Sequence, residues 1–253
     1  MYCGANLVTK KETIEQQKWL LRKYSVDIVF CVDGTCSMVP VLESIKENII
    51  GFIDVCENSH VDWRARIVVF RDSEVDKEWL ENDNPFVSSK KDLVTQLGTI
   101  KVKGNVEDEQ DASSIMDALF YASTKSDWRN IRFPWGPMDS DYDEFVKSGG
   151  CYGFMFIVGF TDAKTRPYLS TTLEKIEVIE DNRKKSKSII KLMRYDMIDR
   201  QLVFAPKDAG LSERPIGKYC QSIVKDFDDP IEFYYHNKLD FSPIYSVLSR
   251  TYS

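Results

Sequence analysis

Residues 26–33 read VDIVFCVD, an apolar run that ends in an aspartate. A run of this kind is typical of a strand that is covered on both faces of a parallel sheet. Residues 151–163, CYGFMFIVGFTDA, form the most apolar run of the chain, and they too lead to an aspartate, Asp162. These two runs predict buried strands with acidic residues at their ends.

The segments between and after these runs predict helices that alternate with strands. Residues 38–56 carry apolar side chains at helical spacing, and Pro40 falls in the first turn, where proline is tolerated. Further strands are predicted within 64–72, 200–208 and 230–237, with a possible short one at 84–89, and further helices within 88–100 (capped by Ser88 or Ser89), 113–124, 170–180, 187–198, 217–227 and 241–250. The pattern predicts an α/β fold, with a Rossmann-like, doubly wound, mostly parallel sheet and helices on both faces.

The chain is interpreted as one domain over residues 1–253. Residues 1–25 are predicted to be a helical lead-in, and residues 124–150 an insertion-like loop. The aromatic side chains of 128–150 would form either a docking surface or a cap on the core: Trp128, Phe133 and Trp135.

Composition narrows the class of protein. The net charge of −6 and the pI of about 5.2 argue against nucleic acid as the partner. The six cysteines include no CxxC pair, which favours reduced thiols in the cytoplasm. No run approaches the roughly 20 apolar residues of a membrane span, and the N-terminus lacks the apolar region of a signal peptide.

Oxygen-bearing side chains follow both apolar runs. Asp33 closes the first, and the hydroxyls of Thr35 and Ser37 come two and four residues later. Ligands bind at the carboxyl ends of the strands of open parallel sheets, so Asp33 and Asp162 are expected to face each other there if their strands are neighbours. Two adjacent carboxylates repel unless a cation lies between them. Carboxylate and hydroxyl oxygens suit a hard divalent cation, Mg²⁺, Mn²⁺ or Ca²⁺.

The alternative interpretation is a helix cap, because Asp, Thr and Ser all cap helix N-termini. It would be preferred for the DGTCS motif taken alone. It does not account for Asp162 at the end of a second buried strand, and the pair of strand ends therefore favours a metal site.

These motifs resemble those of von Willebrand factor type A (vWA) domains with a metal-ion-dependent adhesion site, in particular intracellular bacterial members. The family's D-x-S-x-S motif corresponds to Asp33-Gly34-Thr35-Cys36-Ser37, its later aspartate to Asp162 within FTDA, and RIVVFRD resembles a family strand. The resemblance implies a further ligand at Ser113, with Asp111 as a rival. It also implies that a partner's Glu or Asp completes the metal shell.

The leading hypothesis is therefore a metal-dependent adaptor and not an enzyme. The resemblance implies a protein partner such as an ATPase, kinase or phosphatase of one bacterial stress-response or defence system. The alternatives are a metal-assisted phosphoesterase, in which Lys164 and Arg166 would bind substrate, and a structural scaffold whose metal site is vestigial.

Overall fold

A computed structural model provides the fold of the chain. It describes residues 25–58, 61–103, 112–132, 142–162, 164–166, 169–175, 200–204 and 231–234. The predicted lead-in helix and the helices predicted at 187–198, 217–227 and 241–250 lie outside these residues.

The described residues form nine strands and four α-helices with defined bounds, and residues 170–175 are also helical, within the helix predicted at 170–180. The strands are β1 (Ser25–Asp33), β2 (Asp62–Phe70), β3 (Leu80–Glu81), β4 (Ala112–Ser113), β5 (Ile131–Arg132), β6 (Cys151–Phe160), β7 (Lys164–Thr165), β8 (Arg200–Phe204) and β9 (Ile231–Tyr234). The helices are α1 (Val39–Asn58), α2 (Lys90–Gly98), α3 (Ile115–Lys125) and α4 (Tyr142–Lys147), and a short 3-10 helix, Cys36–Met38, precedes α1.

The central sheet has the strand order β3-β2-β1-β6-β8-β9, with β5 paired to the start of β6. β1 lies between β2 and β6 and is parallel to both, whereas the short edge strand β3 is antiparallel to β2. The remaining pairs are parallel. The predicted α/β fold with a mostly parallel sheet is confirmed.

Helices cover both faces of this sheet. The alternate β1 residues Val26, Ile28, Phe30 and Val32 pack in one cluster with apolar residues of α1 and α2. Val29 and Cys31 point to the other face, where they pack with α3. Because both faces of β1 are covered, all nine of its residues are buried, as the uninterrupted apolar run predicted.

Some local elements differ from the predictions. The helix expected from residue 113 begins at Ile115, and Ser113 lies instead in β4, which pairs with β7. Within 84–89 the only pairing is a single bridge between Val87 and Ala65. Within the insertion-like segment, Trp128 is 2% exposed, contacts Phe86 and caps the core, whereas residues 144 and 146–149 are exposed, and Phe133 and Trp135 lie outside the described residues.

The amino ends of β1 and β2 are joined by a buried ionic network. Asp27 is fully buried and accepts hydrogen bonds from Arg64 Nη2 at 2.6 Å and Arg129 Nε at 2.7 Å. Arg129 also pairs with Asp62 at 2.6 Å, and Asp62 accepts from Ser25 Oγ at 3.0 Å. This network lies at the amino ends of the strands, opposite the carboxyl end where Asp33 lies.

Cys31 and Cys56 are free, buried thiols. Burial raises the pKa of each to about 12. Among the described residues, no helix is both long and apolar enough to cross a membrane.

Candidate metal centre

The order of the strands places a topological switch point at the carboxyl ends of β1 and β6. From β1 the chain proceeds to β2 on one side and later returns to β6 on the other. After β6 the chain continues to β8, on the side away from β2, and ligands of doubly wound sheets bind at such a switch point. Asp33 is the last residue of β1, and Asp162 follows β6 by two residues. The two predicted aspartates therefore lie at the point where this fold class binds ligands.

The loop after β1 is held tightly against β2. Gly34 N donates to Phe70 O at 2.7 Å, and a Cβ at Gly34 would lie 2.8 Å from Val69 Cγ1. Glycine is needed because the loop passes so close to that side chain. Asp33 Oδ1 then accepts from both the backbone N (2.9 Å) and the hydroxyl (2.7 Å) of Thr35, which fixes the turn.

The structure brings the four main predicted residues together. Thr35 Oγ1 lies 3.0 Å from Ser37 Oγ, and Ser37 Oγ lies 2.8 Å from Asp162 Oδ1. A continuous row of side-chain oxygens thus runs from Asp33 through the two hydroxyls to Asp162. Thr35, Ser37 and Asp162 are partly exposed, whereas Asp33 is fully buried beneath them.

This row contains one hydrogen too few. Its three oxygen–oxygen contacts involve two hydroxyl groups, and each hydroxyl has a single hydrogen to donate. With both carboxylates ionised, one contact must place two lone-pair-bearing oxygens against each other. A proton on a carboxyl group, or a cation shared by the oxygens, would supply the missing positive charge.

Two further hydroxyls, those of Thr161 and Ser113, form a hydrogen-bonded chain to Asp33. Thr161 Oγ1 donates to Asp33 Oδ2 at 2.6 Å, and Ser113 Oγ lies 2.9 Å from Thr161 Oγ1. Ser113 is fully buried and is connected to Asp33 through Thr161, while Asp111 lies outside the described residues. Thr161 was not predicted as a site residue. Its place beside Asp162 at the end of a buried strand was the available signal.

Burial dominates the ionisation of Asp33. It raises the pKa of the Asp33 carboxyl to about 6, and the negative charge of Asp162 also raises it, against the hydrogen bonds from Thr161 and Thr35. A nearby divalent cation would favour the charged form and oppose this increase.

The oxygen spacing is compatible with a small divalent cation, and equally with hydrogen bonds between the oxygens. Metal–oxygen bonds of 2.0–2.1 Å in a magnesium octahedron place adjacent oxygens about 2.9 Å apart, and the Thr35–Ser37 and Ser37–Asp162 oxygens are separated by 3.0 and 2.8 Å. No group of three His, Cys, Asp or Glu side chains with metal-binding geometry occurs within the described ranges. A cation at this place would therefore depend on the two hydroxyls as ligands.

The hydroxyl of Thr35 does not cap a helix, contrary to the helix-cap interpretation. This residue precedes the 3-10 helix Cys36–Met38 with an extended backbone, but its side chain makes no capping hydrogen bond. Its hydroxyl is directed to Asp33 and Ser37 instead.

Arg166, which the phosphoesterase alternative assigned to substrate, is occupied by carboxylates. Its guanidinium binds Asp72 Oδ2 at 2.7 Å and Glu74 Oε2 at 2.8 Å. Hydrogen bonding to Asp72 is the main reason that the pKa of Arg166 is raised. The side chain of Lys164 lies outside the described set.

Comparison with known proteins supplies no family assignment: the chain matches no protein-family model and no curated protein.

Proposed function

We propose that this protein is a vWA-like domain that binds a divalent cation through Asp33, Thr35, Ser37 and Asp162 and uses it to bind an acidic residue of a partner protein. Mg²⁺ is the first candidate, with Mn²⁺ or Ca²⁺ as the others, because carboxylate and hydroxyl oxygens suit hard divalent cations. The missing hydrogen in the row from Asp33 to Asp162 is the observation that carries this proposal.

The position of the row supports the proposal. It lies at the carboxyl ends of the two central strands, and its outer members are partly exposed and so accessible to a ligand. In this proposal Ser113 belongs to the site without contacting the cation. Its hydroxyl is hydrogen-bonded to that of Thr161 and so helps to orient Thr161.

A carboxylate-bearing partner follows from the chemistry of such a site. Four protein oxygens leave coordination positions of a six-coordinate cation to water, and an acidic side chain can replace a water. An ATPase, kinase or phosphatase of one bacterial stress-response or defence system, met in the cytoplasm, is the partner that the sequence resemblance suggests.

The test is calorimetric titration of chelator-stripped protein with Mg²⁺, Mn²⁺ and Ca²⁺, beside Asp162→Asn and Ser37→Ala. Saturable binding of a cation by the wild type is expected, with a loss of at least about tenfold in affinity in both variants, because Ser37→Ala removes an oxygen ligand and Asp162→Asn removes the negative charge of another. The cation-loaded wild type should then bind free acetate or a glutamate-containing peptide, and the chelated protein should not.

Asp62→Asn is the matched control. Asp62 also accepts a hydrogen bond from a serine hydroxyl, at 3.0 Å from Ser25, but on the opposite sheet edge, where Arg129 already provides a positive charge. Its cation affinity should equal that of the wild type. Absence of cation binding by the wild type would reject the proposal in favour of a structural scaffold. Cation-dependent hydrolysis of p-nitrophenyl phosphate that is lost in Asp162→Asn would favour the phosphoesterase instead.

A further inference from the structure

We propose that Arg166 is a positioning residue of the metal centre, which holds the segments carrying Ser113 and Asp162 against the loop after β2. This inference rests on the proposed cation site and adds a residue that does not itself contribute to the row of oxygens.

The guanidinium of Arg166 bridges two acidic side chains of one loop. Its Nε and Nη2 both approach Asp72, at 3.2 Å from Oδ1 and 2.7 Å from Oδ2, and its Nη1 pairs with Glu74 at 2.8 Å. Asp72 is 8% exposed and also accepts from Glu74 N at 3.0 Å. A fork-like contact to a nearly buried carboxylate fixes direction as well as distance.

The backbone of Arg166 is joined to the strand that carries Ser113. Arg166 N donates to Ser113 O at 2.8 Å, directly after the pairing of β7 with β4. Arg166 therefore contacts the loop after β2 through its side chain and β4 through its main chain.

A second set of bonds joins β4 to the same loop. Ser114 N donates to Arg71 O at 3.2 Å, and Ser73 N donates to Ser114 Oγ at 3.1 Å. The three segments 71–74, 112–114 and 164–166 thus form one closed set of contacts, which we call the Arg166 clamp.

The clamp is connected to the metal centre at two points. Ser113 lies in it and contacts Thr161, the donor to Asp33. Asp162, whose Oδ1 accepts from Ser37, precedes Arg166 by four residues in the sequence, with β7 between them. β4 and β7 have two residues each, too few to hold their positions by strand pairing alone.

The direction in which the cation affinity changes when the Arg166 guanidinium is removed distinguishes a positioning role from a purely electrostatic one. If the guanidinium acted only through its positive charge, its removal would strengthen the binding of a cation nearby. If it positions Asp162 and Ser113, its removal weakens binding, as does loss of groups that orient metal ligands, typically by 10–100-fold.

The experiment compares Arg166→Gln and Arg166→Lys with the wild type by calorimetric titration of Mg²⁺ and Mn²⁺ into chelator-stripped protein. Arg166→Gln should weaken binding by about tenfold or more. Arg166→Lys keeps the charge without the fork and should also weaken it. Amide hydrogen exchange of the cation-free proteins should be faster in both variants at residues 112–114 and 164–166.

Arg64→Gln provides the control. Arg64 makes a comparable ion pair, at 2.6 Å to buried Asp27, with a similar exposure of its side chain, 25% against 20% for Arg166, but on the opposite sheet edge. Its cation affinity should stay within about twofold of the wild type, as for sites without shared partners.

Wild-type affinity or tighter binding in both Arg166 variants would overturn the clamp and leave the proposed function standing. If the wild type itself bound no cation, the proposed function would be rejected and the clamp's role with it.

Discussion

At the scale of single residues, Asp33 determines how the site responds to pH. The residue is fully buried, accepts hydrogen bonds from Thr35 and Thr161, and has a pKa raised to about 6 from an ordinary value of 3.8. A pKa that is higher in the folded than in the unfolded chain means that the protonated form favours folding. The contribution of Asp33 to stability is therefore complete below the ordinary value and is lost as the pH rises through about 6.

Asp33→Asn should abolish this dependence in the cation-free protein, because asparagine has the same shape and no charge. Relative to this variant, the wild type should lose up to about 3 kcal/mol of unfolding free energy between about pH 4 and pH 7. Urea unfolding of both proteins across this range measures the difference. A difference that does not change with pH would show that burial does not control this carboxyl group.

At the scale of secondary structure, close contact between β1 and β6 depends on a glycine. Gly153 pairs with Ser25, and an added Cβ at Gly153 would overlap the Ser25 carbonyl oxygen. Gly51, within α1, has no atom within 4 Å of the corresponding position. The two glycines therefore allow opposite predictions from the same substitution.

Gly153→Ala should destabilise the protein by about 1–3 kcal/mol or more, because the central strand pair would have to separate. Gly51→Ala should stabilise it by about 0.5–1 kcal/mol, because alanine restricts the unfolded chain and glycine is unfavourable within a helix. Denaturant unfolding of both variants tests the pair. Similar effects in both would contradict this account of Gly153.

The sequence predicted the elements that have strong local signals. Apolar runs located β1, which ends at Asp33, and β6, which Asp162 follows by two residues. Of the two predicted cap residues, Ser88 and Ser89, the hydrogen bond from Asp92 N identifies Ser89. β4 and β7 escaped prediction because two-residue strands have no periodicity and exist through tertiary contacts. The hydrogen bond from Thr161 to Asp33 is also a tertiary contact, because it joins residues 128 positions apart. Local sequence patterns therefore could not predict it.

At the scale of the whole molecule, the candidate centre exists only in the folded chain. Asp33, Ser113 and Asp162 come from distant parts of the sequence, and the sheet brings them together. The opposite sheet edge is held separately by the ionic network around Asp27. An unfolded chain therefore offers the cation no equivalent of the site.

Cation binding should consequently stabilise the protein against unfolding. At a free cation concentration of about 100 times the dissociation constant, the gain should be about 2.7 kcal/mol. Thermal unfolding with and without Mg²⁺ measures it, and Thr35→Val, which keeps the shape of the side chain and removes the hydroxyl, should lose it. An equal gain in Thr35→Val would assign the stabilisation to cations bound elsewhere.

The two buried thiols can serve as chemical probes of the core of the sheet. Cys31 lies at the centre of β1 and Cys56 on the inner side of α1, and the pKa of about 12 leaves almost no thiolate in either at neutral pH. An alkylating reagent therefore reacts with them only in molecules whose core has opened. Their labelling rates, followed by peptide mass spectrometry, would time the transient opening of this sheet and show whether an occupied metal centre slows it.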